Sequence, residues 1–368
     1  MPIRLGPVGL NPTLTITNFG IDSNVFNDSV DPKRDFTMTA TPRMIARVRT
    51  GRTLFAGTLG TGLVYYQRFS DERSIDYAAE GRADTDLGGF KPYLLGARTH
   101  TSERLNAELD LRAPRVQTNV AGGARYVATP RTGFVFAAKH SSVQFDEGSV
   151  FDGIALSRTL SSTVNTIEGG VEYYATPLTT ISVVASRQQD RFDESPERDT
   201  DSIRIMPSIR MDAPAIVQGS LAIGYRRFDG RDPLLPDYSG LVVQATLGHA
   251  IGELTKVDLA LTRDVQYSFE ETEPYYLLSS IRVTVTRQVH QSVDIRGAVG
   301  RERLDYRAAA IGTDDRLDRW QIVSAGVGFR YRPNLRLGLD LEFASRSSDR
   351  ADREYDRTRL LGSLSYGF

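Results

Sequence analysis

Leu335-Arg-Leu-Gly-Leu-Asp-Leu-Glu-Phe343 is the stretch that decides the fold. Every odd position is apolar, and the even ones are Arg336, Gly338, Asp340 and Glu342. Successive side chains on a strand point to opposite faces, so this segment has one oily face and one charged face. A polar tip runs from Ser345 to Glu354, and the chain then returns through Ser363-Leu-Ser-Tyr-Gly-Phe368. A strand that ends on an aromatic needs a pairing partner for its backbone N–H and C=O groups. The hairpin therefore predicts the closing element of a transmembrane β-barrel, with its oily face toward lipid.

Composition permits this. The chain has 368 residues, 40% hydrophobic and 25% charged, and a mean hydropathy of −0.31. No run approaches the roughly 18 apolar residues of a membrane-spanning helix. A barrel is still allowed, since half of each spanning strand faces a polar lumen. Lys+Arg is 45 and Asp+Glu 46, and that balance, with no aromatic RNA-binding motif, points away from nucleic acid. Cysteine is absent, as suits an envelope protein. Met1-Pro-Ile-Arg lacks a charged n-region and an apolar h-region, so an exported chain is expected to have lost its signal peptide.

Period-2 alternation recurs along the chain, and its breaks fall into two sets. Short turns occur at Thr50-Gly51-Arg52, Gly88-Gly89, Thr129-Pro130-Arg131, Thr176-Pro177-Leu178, Ala213-Pro214, Gly252-Glu253, His290-Gln291 and Pro333-Asn334. Longer polar loops, such as Asp22 to Arg34, Glu147 to Asp152, Asp193 to Asp199 and Ala308 to Asp315, alternate with them. Short periplasmic turns and longer extracellular loops characterise outer-membrane barrels. The predicted fold is all-β, a transmembrane antiparallel up-and-down barrel of about 18 strands. It spans residues 13–368, behind a periplasmic lead-in over 1–12.

Two aromatic groups frame the aliphatic band, as expected at two membrane interfaces. Tyr65, Phe269 and Trp320 stand near the long loops, along with Phe145, Phe192, Phe228, Tyr275 and Tyr306. Tyr126, Tyr173, Phe329, Tyr331, Tyr366 and Phe368 stand near the short turns. With the aliphatic set toward lipid, the charged set lines the lumen. From the first half of the chain these are Arg43, Arg47, Glu80, Arg82, Lys139, Glu168 and Glu172. The second half supplies Arg204, Arg210, Asp258, Arg282, Asp294, Arg296, Arg336, Asp340 and Glu342. Taken singly, such charges more often brace the wall by cross-strand pairing than act on a solute. Mixed signs argue against strong ion selectivity. Asp22 to Asp35 reads as the longest loop, and no loop is expected to fold inward, so any constriction must come from wall side chains, short loops or a partner.

Enzyme chemistry finds little support. The nearest approach to a nucleophile–base pair is His140-Ser141, and adjacent strand residues face opposite sides. Without cysteine or clustered histidine, no transition-metal site or cofactor is expected. The Asp22 to Asp31 carboxylates read as a solvated loop rather than a calcium site.

The run from Gly6 through Gly20-Ile-Asp-Ser-Asn-Val-Phe26 resembles the opening of the outer-membrane β-barrel porin type 2 family. There a first strand leads into a Gly-Tyr-Asp-Ser/Asp-Asn-Val-Phe element. Ile21 replaces the tyrosine, while Gly20, Asp22, Asn24, Val25 and Phe26 match. The resemblance implies a channel in the bacterial outer membrane, among its lipid and lipopolysaccharide. It further implies a conduit for exopolysaccharide or capsule export working with periplasmic export proteins; the alternative is a diffusion porin for small solutes, ahead of an outer-membrane enzyme or adhesion scaffold. Phe368 is similar to the C-terminal signal read by the barrel-assembly machinery.

Overall fold

The computed structural model describes residues 3–308 and 316–367. Its wall is built from long strands: β1 (Val8–Asp22), β2 (Asp35–Thr50), β3 (Thr53–Tyr66), β4 (Ser74–Thr85), β5 (Phe90–Thr101) and β6 (Arg115–Thr129). Next come β7 (Thr132–Phe145), β8 (Ser162–Thr176), β9 (Thr179–Phe192), β10 (Thr200–Met211), β11 (Val217–Gly230) and β12 (Tyr238–Ile251). The circuit finishes with β13 (Thr255–Tyr267), β14 (Tyr275–His290), β15 (Val293–Arg307), β16 (Leu317–Arg332), β17 (Leu335–Ser348) and β18 (Tyr355–Gly367). Each pairs antiparallel with its neighbours, and β1 pairs with both β2 and β18. The barrel of 18 strands is therefore closed. Closure removes the sheet edges, which would otherwise present rows of unpaired backbone groups to lipid.

The wall begins at Val8, which pairs with Val48, ahead of the Thr13 expected. Residues Ile3–Leu5 fold back on it through Ile3↔Leu10. Pro12 lies within this strand opposite Met44, since a proline is tolerated in a strand that needs no N–H bond at that point.

The seam between β1 and β18 carries an irregularity. Register shifts between Ile16 and Phe19 on the β18 side and between Thr17 and Gly20 on the β2 side. Asn18 takes the left-handed conformation at φ 54°, which Asn tolerates better than most residues. A Cβ at Gly20 would stand 1.9 Å from the Leu360 carbonyl oxygen, so only glycine allows β18 to close there. Beyond the bulge, Asp22 accepts a hydrogen bond from the Asn24 N–H at 3.0 Å and pairs with Arg357. Two of the residues shared with the family opening thus seal the barrel.

Connections at one end are short, and those at the other are long. Three of the long ones interdigitate: residues 102–114 between β5 and β6, residues 146–161 between β7 and β8, and residues 268–274 between β13 and β14. Here the absence of an inward loop, expected from the sequence, is overturned. Leu109, Ala113, Leu156, Leu160 and Phe269 form one buried cluster with Phe145 at the end of β7. Burying each large side chain contributes roughly 1.5–3 kcal/mol. The segment 102–114 rises between β5 and β6 and reaches Arg346 on β17. It can do so only by crossing the barrel interior.

Candidate functional site: the lumen and its mouth

Ladder register carries each face of the closing hairpin around the wall. Leu339 stands opposite Val327, which stands opposite Ile295, and all three are exposed on the outward face. Asp340 stands opposite Gly326, which stands opposite Arg296. Followed strand by strand, the inward face holds Arg43 and Arg47 on β2, Glu80 and Arg82 on β4, and Lys139 on β7. It also holds Glu168 and Glu172 on β8, Arg204 and Arg210 on β10, Asp258 on β13 and Arg282 on β14. Asp294 and Arg296 on β15 and Arg336, Asp340 and Glu342 on β17 complete it.

Most of these charges are tied to one another or to neighbours. Asp294–Arg336 at 2.5 Å and Arg296–Asp340 at 2.6 Å each span from β15 to β17. They pass over Gly328 and Gly326 on β16, where a Cβ would come within 2.0 Å of the Arg336 Nη2 and the Asp340 Oδ1. The glycines on this face are thus gaps that let ion pairs cross a strand. Lys139–Glu168 at 2.8 Å, Arg125–Glu172 at 2.7 Å, Arg204–Asp264 at 2.7 Å and Lys256–Asp258 at 2.7 Å brace other sectors. Arg82 pairs with Asp84 at 2.7 Å, Arg210 with Asp212 at 3.5 Å, and Glu342 with Arg359. Arg43, Arg47, Glu80 and Arg282 make no ion pair among the described residues.

At the long-loop end, charge and packing combine to hold the inward segments. The Glu108 side chain is fully buried, and its carboxylate accepts from the Ser268 hydroxyl at 2.6 Å. Arg346 donates to the Ala107 carbonyl at 3.0 Å and to Asp110 at 3.1 Å, and also pairs with Asp318. Arg353 donates to the Glu108 carbonyl and to Asp152 at 3.2 Å, tying the two inward segments together. Arg198 reaches the Pro274 carbonyl at 2.9 Å, and Arg316 pairs with Asp318 at 2.6 Å and Glu273 at 3.4 Å. Burial drives the Glu108 carboxyl up to about 7, against the opposing pull of Ser268 and the nearby arginines. Removing one partner from such a buried network typically costs about 3–5 kcal/mol.

The family-like residues of the first loop join this anchor. Asn27 donates to Asp110 at 2.7 Å, and Arg104 donates to the Val25 carbonyl at 2.6 Å. Asn24 caps its own loop, giving a bond to the Asp28 carbonyl at 2.9 Å and accepting one from the Asp28 N–H at 3.0 Å. Phe26 packs edge-on against Phe69 at 4.8 Å.

Several aromatic placements differ from expectation. Phe269 is buried between the inward segments and meets Phe151 edge-on at 5.0 Å, so it is no interface residue. Trp320 stands opposite Arg346 and Glu302 on the inward face, where its indole N–H donates to the Tyr355 hydroxyl at 3.1 Å. Phe145, Phe192, Phe228, Tyr275 and Tyr306 are buried as well. Proximity to long loops identified these side chains, but proximity does not say which face they take, and the inward loops needed apolar partners. Tyr65 does face outward, with the Arg73 guanidinium 4.6 Å over its ring. Tyr126, Tyr173, Phe329 and Tyr331 are exposed on the outward face by the short turns, and Tyr366 shares that face opposite Leu335. Phe368 lies outside the described residues.

Toward the short turns the interior is open. Two cavities of about 490 and 550 Å³ lie there, one bordered by Arg49, Arg82 and Tyr93, the other by Lys256, Asp294 and Arg336. The whole is a closed transmembrane wall, charged within and aliphatic without, that leaves an aqueous space below a narrowed mouth. That is the construction of an outer-membrane channel.

Comparison with known proteins agrees. The chain belongs to the family described as "Putative beta-barrel porin 2", whose model matches residues 2–366, and its place is the bacterial outer membrane. In structure it is similar to OccK2 (OpdF) of Pseudomonas aeruginosa, solved in complex with glucuronate. The TM-score is 0.55 at 12% identity, covering 98% of each chain. OpdK of the same organism, solved with vanillate, gives a TM-score of 0.51 at 12% identity, covering 98% of this chain and 99% of that one. OccK9 (OpdG), also from P. aeruginosa, gives 0.53 at 12% identity and 98% of each chain. No curated protein matches the chain in sequence.

Proposed function

We propose that this chain is a diffusion channel admitting small solutes across the outer membrane. The observation that carries the reading is the mouth, where residues 102–114 and 146–161 are packed into the bore by buried apolar contacts and ion pairs. An 18-stranded wall is wide enough to leave an aqueous channel, and inward loops subtract from its cross-section. The remaining space is bordered by charged side chains that keep it hydrated. Two proteins of similar structure were solved with small molecules, glucuronate and vanillate, which agrees with this role.

Export of an exopolysaccharide, implied by the family resemblance, fits the mouth less well. A polymer in transit needs a continuous bore, and the anchored segments stand in it.

Liposome swelling tests this. Vesicles holding the refolded chain should swell in monosaccharides, slowly in disaccharides, and not in a long soluble polysaccharide. Equal permeation by the polysaccharide would restore the export conduit.

A further inference from the structure

The outward face carries a charge pattern that neither the lumen nor the mouth uses. Near the long-loop end, ladder register sets Arg263 opposite Ser279, Ser279 opposite Arg303, and Arg303 opposite Arg319. These belong to β13, β14, β15 and β16, and they lie in one row on the face that also carries Val299 and Val323. Arg301 sits one step toward the aliphatic band, opposite Ile281 and Gln321.

Arg303 and Arg319 are direct cross-strand neighbours, an arrangement in which like charges destabilise a sheet. Among the described residues relief is partial. Asp305 approaches Arg303 at 3.4 Å but also Arg307 at 3.6 Å, and Arg263 donates to the Ser279 hydroxyl at 2.7 Å. Arg301 and Arg319 are exposed and make no ion pair among the described residues. By contrast Arg227, also outward on β11, is neutralised by Asp229 at 2.9 Å. Below the row the surface is aliphatic, with Val299 and Val323 both exposed. Unpaired guanidinium groups on a lipid-facing wall persist where they reach the polar boundary and meet an anion there.

We propose that Arg301, Arg303 and Arg319 form a binding site for the phosphate groups of a phosphorylated glycolipid in the outer leaflet. Charge complementarity and position choose this occupant. The guanidinium fork matches phosphate oxygens two at a time. The row stands at the border between aliphatic band and long loops, the depth at which a headgroup lies. One phosphate bridging Arg303 and Arg319 turns their repulsion into a shared contact, and Arg301 closes the site from below.

The test uses the full-length folded chain in vesicles of zwitterionic lipid, with thermal unfolding followed by heat-modifiable gel mobility. Bis-phosphorylated lipid A should raise the midpoint by several degrees, and dephosphorylated lipid A should not. R301Q/R319Q should lose most of that rise, while R301K/R319K keeps the larger part of it. Both variants should retain wild-type conductance, because these side chains face away from the lumen. Equal rises with both lipids, or an undiminished rise in the Gln variant, would overturn the site. So would full reproduction of the effect by inorganic phosphate, or cross-linking of R319C between two copies of the chain that lipid A does not suppress.

Discussion

Glu108 sits among Arg198, Arg316, Arg346 and Arg353, yet only one of its carboxylate oxygens finds a partner, the Ser268 hydroxyl. Burial outweighs these neighbours and lifts its carboxyl from 4.5 to about 7. Between those values the released segment carries the charge and the docked one carries the proton. Docking therefore takes up a proton, is strongest below about pH 4.5, and weakens as pH rises toward 7. The free energy at stake is on the order of 3 kcal/mol. Channel current in wild type should accordingly grow larger or noisier from pH 5 to pH 8. In Glu108→Gln the amide oxygen can still accept from Ser268, and the current should stay quiet across that range. The same pH dependence in both proteins would remove Glu108 from the account of the mouth.

Among the elements, the closing hairpin was the most legible and the inward loop the least. In β17 a single alternation fixed both faces, because one meets lipid and the other meets ion pairs. Leu339→Arg should therefore impair insertion far more than Asp340→Arg. A lipid-facing arginine near the midplane costs about 2–4 kcal/mol, whereas an inward one gives up the Arg296 pair but stays hydrated. Equal amounts of folded barrel for both variants, by heat-modifiable mobility in native membranes, would contradict the facing. Residues 105–113 alternate just as strictly. Leu105, Ala107, Leu109, Leu111 and Ala113 interleave with Asn106, Glu108, Asp110 and Arg112. Period 2 alone could not separate this loop from a strand. In the structure its apolar residues pack on buried clusters, while Glu108 and Asp110 meet Ser268 and Arg346. Two features could have flagged it: two acidic residues on a short apolar run, and Pro114 directly before β6.

For the whole molecule, strand count, closure and the sorting of short from long connections followed from turn chemistry and period, which act locally. Tyr65 apart, the aromatics named near the long loops did not sort correctly, because lipid and a packed interior both attract them. What separates the two fates is tertiary, namely whether a loop crosses the bore. The mixed charges of the inward face were legible as residue types, but their pairing over Gly326 and Gly328 depends on strands that are not adjacent. The site follows the same pattern: its wall is written in alternation, its mouth in contacts between distant loops. The gate-like segment is held by Arg346 and Arg353 from β17 and the following loop, far along the chain from residues 102–114.

Single-channel conductance in a planar bilayer distinguishes a narrowed mouth from an open one, comparing wild type with a chain in which residues 103–113 are replaced by a short Gly/Ser turn. Wild type should give a small, steady conductance, and the shortened chain one several-fold larger that a long soluble polysaccharide transiently blocks. Identical conductance in the two, or a wild-type channel already large and blocked by polymer, would contradict a mouth narrowed by that loop.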